Sequence, residues 1–321
     1  MKRFMSLALV ALAFLTASCN KEMGNEATMS LKVSIPEAAT KAYGDGMLAD
    51  KNLIIGVFDE NGNEKFRKNL VWGPSQFEEV VSIRFMVGKK YQMVFWAQYG
   101  DAYGNPATMP LEQITLDYKK SNREDLDAFW AHVPEFEVKK DFSMSVTLTR
   151  PFAQLNFATT VGDMNESISD PTLASGLHNK ASVTVKNVAN TLNLFTGATS
   201  YVDENNKSEA AGAAVLIPDT EFPKVKVMQD GKEVEVYPTI EVEGVTYEVI
   251  AMNYILVADA ASEDGKTTVD LKLQVGEVEI SVPNAYMKRN WRTNVVGELL
   301  TAEGSFNVKI DPIFKGDYNP N

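Results

Sequence analysis

The chain has 321 residues, with 31 Lys+Arg against 43 Asp+Glu, one Cys and two His, and its 45% apolar and 23% charged residues describe a chain that buries a core, long enough for two folded domains. A net charge of −12, which grows more negative once the leading Lys2 and Arg3 are removed, repels phosphate backbones, and no Lys/Arg cluster offsets it, so nucleic acid is a poor partner. One Cys excludes disulfides within the chain and Cys-based zinc sites, and His132 and His178 stand too far apart in sequence to suggest histidine metal chemistry.

The chain opens with a basic Met1-Lys2-Arg3 followed by an apolar run over residues 4–15 (FMSLALVALAFL), too short to span a bilayer but suited to a signal peptide. Thr16-Ala17-Ser18-Cys19 resembles the lipobox of bacterial lipoproteins, with Thr16 where Leu is usual. The only Cys thus stands where a thiol takes a diacylglyceryl thioether, and acyl chains at about 0.8 kcal/mol per buried CH₂ would hold a soluble domain on a membrane. The expectation is a signal peptide over 1–18, lipidation at Cys19 and a polar tether over 19–28. The alternative is a secretory signal with an incidental Cys.

Met29, Leu31, Val33 and Ile35 alternate with Ser30, Lys32 and Ser34, the period of a half-buried strand. Pro36 stops it, and residues 37–50 (EAATKAYGDGMLAD) read as an exposed linker. Residues 53–58 form a β-rich run followed by a turn at Asp59-Glu60-Asn61-Gly62-Asn63, since Asn-Gly tolerates positive φ. Its carboxylates lack the spacing of a calcium loop. Alternation returns at Val81, Ile83, Phe85 and Val87 and, across Gly88-Lys89, at Tyr91, Met93, Phe95 and Ala97. A short helix is predicted over 121–131 from the Ser121–Glu124 capping box and the shared face of Leu126, Phe129 and Trp130. Phe142, Met144, Val146 and Leu148 alternate cleanly.

After Arg150-Pro151 the pattern restarts, with strands predicted over 154–159, 181–188, 225–228, 245–251, 254–258, 269–275, 278–282 and 306–310. Gly276 makes the last pair before the C-terminal strand a hairpin. Strands separated by short turns indicate sandwiches. The reading is all-β, with a domain over 29–150 and another over 151–321.

Neither Gly-x-Ser-x-Gly, His-Glu-x-x-His nor a phosphate-binding glycine loop occurs. His132 reads as a helix-end residue and His178 as a loop residue. Abundant carboxylates such as Glu277 and Glu279 alternate outward as a solvated sheet face. Of the four tryptophans, Trp96 reads as core, and Trp72, beside Gly73-Pro74, is the candidate for an exposed sugar-stacking platform. No enzyme, cofactor or metal site is expected.

Three segments carry a resemblance together: Val94-Phe95-Trp96-Ala97-Gln98 followed by Ile114–Tyr118 and Asp127-Ala128-Phe129-Trp130; Leu148-Thr149-Arg150-Pro151-Phe152-Ala153-Gln154-Leu155-Asn156-Phe157; and Lys288-Arg289-Asn290-Trp291-Arg292-Thr293-Asn294-Val295-Val296-Gly297-Glu298-Leu299-Leu300-Thr301 with the strand at Phe306 behind it. Their order and content resemble a Bacteroidetes family of fimbrillin-like lipoproteins related to FimA/Mfa-type pilins and pilus-anchor proteins. Asn20-Lys21-Glu22 likewise resembles the export tags of surface lipoproteins from that group. The resemblance implies two tandem transthyretin-like (Greek-key) β-sandwich domains, a lipidated precursor in the outer membrane, exposure on the cell surface, and cleavage in the linker after the first strand. A neighbouring subunit's strand then fills the opened groove.

By that resemblance Lys41 and Ala42 flank the cleavage site, although the family usually cuts after Arg. Leu31, Val33 and Ile35 mark the removable strand, and Phe306, Val308 and Ile310 the strand that donates. The alternative is a permanent first strand and a solvated Lys41. Partners would be other pilin-like subunits, outer-membrane lipid through Cys19, and host or bacterial surface ligands. Arg150 is expected to hydrogen-bond backbone carbonyls where the halves meet, and the run Arg292-Thr293-Asn294 to do the same near the last strand. The competing function is a surface glycan-binding lipoprotein for nutrient capture, resting on Trp72.

Overall fold

A computed structural model describes residues 25–35, 50–73, 76–119, 121–169, 179–203, 205, 207–210, 212–257, 266–300 and 305–311. Cys19, Lys41, Ala42 and His178 lie outside the described residues.

The first half contributes β1 (Glu26–Ser34), β2 (Lys51–Asp59), β3 (Glu64–Trp72), β4 (Glu78–Met86), β5 (Lys90–Tyr99), β6 (Gln113–Thr115), β7 (Ala128–Glu137) and β8 (Phe142–Thr147). One sheet runs β4-β1-β8 and another β3-β2-β5-β7. Both contribute to a single core that includes Met29, Leu31, Val57, Phe85, Phe95, Phe129 and Leu148. β2 and β5 are apolar on both faces for a reason: Leu53, Ile55, Met93 and Phe95 fill this core, whereas Ile54, Phe58, Val94 and Trp96 belong to the core of the second half. The second sheet is therefore a wall shared by two cores.

The turn predicted at residues 59–63 closes as expected: Asp59 Oδ1 accepts from the amides of Asn61 and Asn63, each at 2.9 Å, and Gly62 takes φ 77°. Lys65 lies 2.8 Å from the same carboxylate. The Lys65 hydrogen bond, then the Asn63 amide, hold the Asp59 pKa down at about 2. A depressed carboxylate contributes stability that is present above its unfolded value and lost as pH falls through about 2. Asp59→Ala should therefore flatten the acid limb of a melting-temperature profile between pH 5 and about 2; an unaltered limb would refute the assignment.

The Gly88-Lys89 turn does not pair its two strands. It carries the chain from one sheet to the other, with the Gly88 amide donating to Val138 O and the Val138 amide to Lys89 O. The helix predicted over 121–131 is absent. A single 3-10 turn (Glu124–Leu126) leads straight into β7, where Ala128, Phe129 and Trp130 pair with Gln98, Ala97 and Trp96 of β5. Asn122 takes φ 54°, and the Ser121 hydroxyl bonds Thr220 instead of capping a helix. The i, i+3 pattern was thus overridden by tertiary strand pairing. His132 accordingly sits within β7 and not at a helix end, 3.4 Å from Gln92.

The second half contributes β9 (Ala153–Thr160), α1 (Val161–Ser169), β10 (Lys180–Ala189), β11 (Thr191–Asn193), β12 (Thr199–Val202), β13 (Ser208–Ala210), β14 (Ala213–Glu221), β15 (Val225–Gln229), β16 (Lys232–Val236), β17 (Thr239–Val242), β18 (Val245–Val257), β19 (Lys266–Val275), β20 (Val278–Lys288), β21 (Arg292–Gly297) and β22 (Phe306–Asp311). The main sheet runs β20-β19-β10-β18-β9-β21-β22, with β14 on β10 and β17 on β18. β10 and β18 join only through Val188↔Val257 and Ala189↔Leu256. The Gly276 hairpin forms as predicted, Val275 opposite Val278. The separate strands predicted over 245–251 and 254–258 are one strand, because Met252 and Asn253 continue the pairing with β9 past an irregularity at residues 249–251. β3, β6, β11–β14, β16, β17, β21 and α1 were not foreseen. Several of them are short or carry charges on an exposed face, so their apolar period is weak.

The halves are stitched together. β6 pairs with β11, so the sheet β13-β12-β11-β6 draws on both. The Tyr118 hydroxyl donates to Ala189 O at 2.6 Å and accepts from the Leu256 amide at 3.0 Å. Trp130 Nε1 donates to Leu194 O.

Candidate functional site

β1 is the centre of its sheet, antiparallel to β4 from Glu26↔Met86 to Ser34↔Glu78 and parallel to β8 from Met29↔Phe142 to Ser34↔Thr147. Its strict alternation is what seats it. Ala27, Met29, Leu31, Val33 and Ile35 point inward and are at most 2% exposed, while Thr28, Ser30 and Lys32 face solvent. Burying the four large side chains contributes about 6–12 kcal/mol at 1.5–3 kcal/mol each. The ladder is closed at both ends by backbone bonds, Val87 N to Asn25 O, Leu148 N to Ser34 O and Ile35 N to Phe77 O. Asp141 Oδ1 accepts from Thr28 N at 2.7 Å, and Lys32 reaches Glu78 at 2.7 Å. β4 and β8 are not paired with each other, and β1 lies between them in the sheet. Without it, an apolar groove would lie between two unpaired strand edges.

β22 closes the opposite end of the molecule's main sheet. Among the described residues it pairs with β21 alone, from Arg292↔Asp311 to Gly297↔Phe306, and Phe306, Val308 and Ile310 are half-buried. Gly297 permits its approach: a Cβ there would stand 2.0 Å from Ser305 O and 2.7 Å from Phe306 Cα, backbone atoms that cannot swing aside. Gly297→Ala should therefore loosen β22 selectively. Hydrogen exchange ought to show faster exchange in residues 306–310 with β18 and β19 unaffected; uniform protection would contradict this.

Arg150 meets side chains from both halves. Its guanidinium makes a bidentate pair with Asp127, Nε to Oδ1 and Nη2 to Oδ2 at 2.5 Å, with both residues almost fully buried. Nη1 reaches Asn290 Oδ1 at 3.3 Å, and the guanidinium lies over the Phe129 ring at 4.9 Å. Burial pushes the Asp127 carboxyl up, against the pull of Arg150. Arg292 Nε likewise meets a side chain, Gln154 Oε1 at 2.8 Å, and Asn294 accepts from Asn156. Thr293 meets a carbonyl, that of Tyr286. Gln154 continues to the Tyr254 hydroxyl, which donates to Glu124 at 3.0 Å. Sequence reading singled out Arg150 and the segment starting at Asp127 but could not pair them.

Trp72 is fully buried and its Nε1 donates to Glu79 at 2.7 Å, because β3 pairs with β2 and turns the ring into the first core. It offers no sugar-stacking surface, and the expectation of an exposed platform there is overturned. Trp96 is core, as expected. Acrylamide should leave Trp72 and Trp96 unquenched, and only the half-buried Trp130 and Trp291 should respond. Removing Trp72 by a Trp72→Phe change should leave the quenchable fraction unchanged.

Among the described residues, no helix is long and apolar enough to cross a membrane. The profile of a family of unknown function (DUF6562) matches residues 20–321. No curated relative matches the sequence. Among solved structures, the chain is similar to the tip fimbrial protein Mfa3 from Porphyromonas gingivalis, C-terminally truncated, with 11% identity, TM-score 0.44, and 89% of this chain and 99% of that one covered. A candidate adhesin from Bacteroides thetaiotaomicron is similar at 12% identity and TM-score 0.49, covering 91% and 97%. The fimbrial anchor protein Mfa2 from P. gingivalis gives 12% identity and TM-score 0.41, covering 88% and 97%.

Proposed function

The chain belongs to the family of unknown function DUF6562, and we propose that it is a non-enzymatic, fimbrillin-like surface lipoprotein, a structural or adhesive subunit or an anchor of fimbriae assembled by β-strand addition. The observation that carries this reading is the seating of β1: one terminal strand, centred in its sheet, fills the first core and is held by a backbone ladder that another extended segment can reproduce. The sequence resemblance to fimbrillin-like lipoproteins supports it independently. In this reading Cys19 carries lipid and holds the protein at the outer membrane, the domains span 29–150 and 151–321, and a cut between Lys41 and Ala42 releases β1. Leu31, Val33 and Ile35 then vacate a groove that Phe306, Val308 and Ile310 of a neighbouring subunit enter. The partners are further pilin-like subunits.

The test is the mass of the mature protein taken from its own outer membrane. A lipidated N-terminus at Cys19 with β1 retained assigns an anchor or a stand-alone surface lipoprotein. A chain starting at Ala42, in ladders that resist detergent, assigns a polymerising subunit. An unlipidated soluble chain with β1 in place would overturn the proposal.

A further inference from the structure

One end of the β1 groove is built unlike the rest. The inward row of β1 is one small side chain, Ala27, followed by Met29, Leu31, Val33 and Ile35. Ala27 stands opposite Phe85 in the register. The Phe85 ring centroid lies 4.8 Å from Tyr91, 5.8 Å from Phe136 and 6.4 Å from Phe142, and Phe136 lies 5.8 Å from Phe142. These rings come from β4, β5, β7 and β8, so both sheets of the sandwich fix the wall together.

Resting on the reading that β1 occupies an exchangeable seat, we infer that this ring cluster is a size filter that sets the register and the class of any strand filling the groove. The strand must bring a small residue to the Ala27 seat and apolar residues to alternate positions after it. A slip by one residue turns every side chain to the wrong face. A slip by two keeps the faces but brings Met29 or Asn25 opposite Phe85, one too large and the other polar. Asp141 adds a check that ignores side chains. Its Oδ1 takes the Thr28 amide just before β8 begins, so the incoming strand must reach that far and have no proline there.

The occupant that meets these demands is the C-terminal strand of a second copy. Gly304-Ser305-Phe306-Asn307-Val308-Lys309-Ile310 laid on Ala27-Thr28-Met29-Ser30-Leu31-Lys32-Val33 puts Gly304 at the filter and Phe306, Val308 and Ile310 in the next three seats. Lys309 then takes the place of Lys32, which faces Glu78. Sliding the strand by two the other way brings Ala302 to the filter but puts Gly304 in the Met29 seat and leaves it empty. β22, paired on one side among the described residues, can leave its sheet edge.

The test uses the full chain carrying Leu31→Asp, which drives its own β1 from the groove, and labelled peptides. A peptide of residues 25–36 should bind and restore cooperative melting, and so should one of residues 303–312. Ala27→Leu in the first peptide and Gly304→Leu in the second should each weaken binding by about tenfold or more. Equal binding of the parent and Leu peptides overturns the filter. If no peptide binds, the exchangeable seat itself fails, and the filter is then decided in the natural chain. There Ala27→Leu should lower the melting temperature by roughly 5 °C, and by clearly less in a Phe85→Ala background. An unchanged melting temperature would mean that Phe85 yields into the pocket of about 430 Å³ that it lines with Val57, Phe66 and Tyr91, and would overturn the filter.

Discussion

Asp127→Ala is expected to destabilise the protein by about 3–5 kcal/mol, the cost of leaving a buried charge without its partner. The Arg150 side chain is 1% exposed and that of Asp127 5% exposed, so the guanidinium cannot recover its hydration without opening the structure. Asn290 and the Phe129 ring remain beside it, but neither carries a compensating charge. The expected observation is a lower urea midpoint at unchanged slope. The double change Asp127→Ala with Arg150→Met should recover most of the loss, because it removes both charges and refills the Arg150 volume with an apolar chain. A cost for Asp127→Ala below about 1 kcal/mol would mean that water reaches the pair and that it behaves as a surface ion pair.

Leu31→Ala is expected to cost about 2–5 kcal/mol, while Lys32→Ala, one residue away, should cost less than about 1 kcal/mol. The contrast follows from the pleat. Leu31 is fully buried at the centre of the first core, flanked by Val81 on β4 and Met144 on β8, whereas the Lys32 side chain is 48% exposed and meets only Glu78. Because β1 pairs with both β4 and β8, the loss should also appear as faster amide exchange in both of those strands. Their exchange rates should rise together, with β9 and β18 unaffected. Similar costs at positions 31 and 32 would show that β1 is not held by its inward row, and the groove argument would lose its footing.

The sequence by itself determined that the chain is all-β and where its most regular strands lie. β1, β4, β8, β19, β20 and β22 alternate apolar and polar residues because one face meets a core and the other meets water, and that period is written locally. Turns at Asn61-Gly62 and Gly276 were equally local, since positive φ restricts which residues can stand there. The removable-strand candidate, Met29 to Ile35, was legible for the same reason.

Only the tertiary structure decided what those strands pair with. Gly88-Lys89 is a turn in either reading, yet the structure alone sends β4 and β5 to opposite sheets. The residues around Phe129 and Trp130 satisfy a helical period, and pairing with β5 makes them a strand. Trp72 looked exposed beside Gly73-Pro74 until the pairing of β3 with β2 turned its ring inward. The partnership of Arg150 with Asp127 and the ring cluster around Phe85 join residues from separate strands. Local periodicity reports which face a side chain takes; the identity of its neighbour depends on contacts distant in sequence, and a single sequence carries no local signal for those.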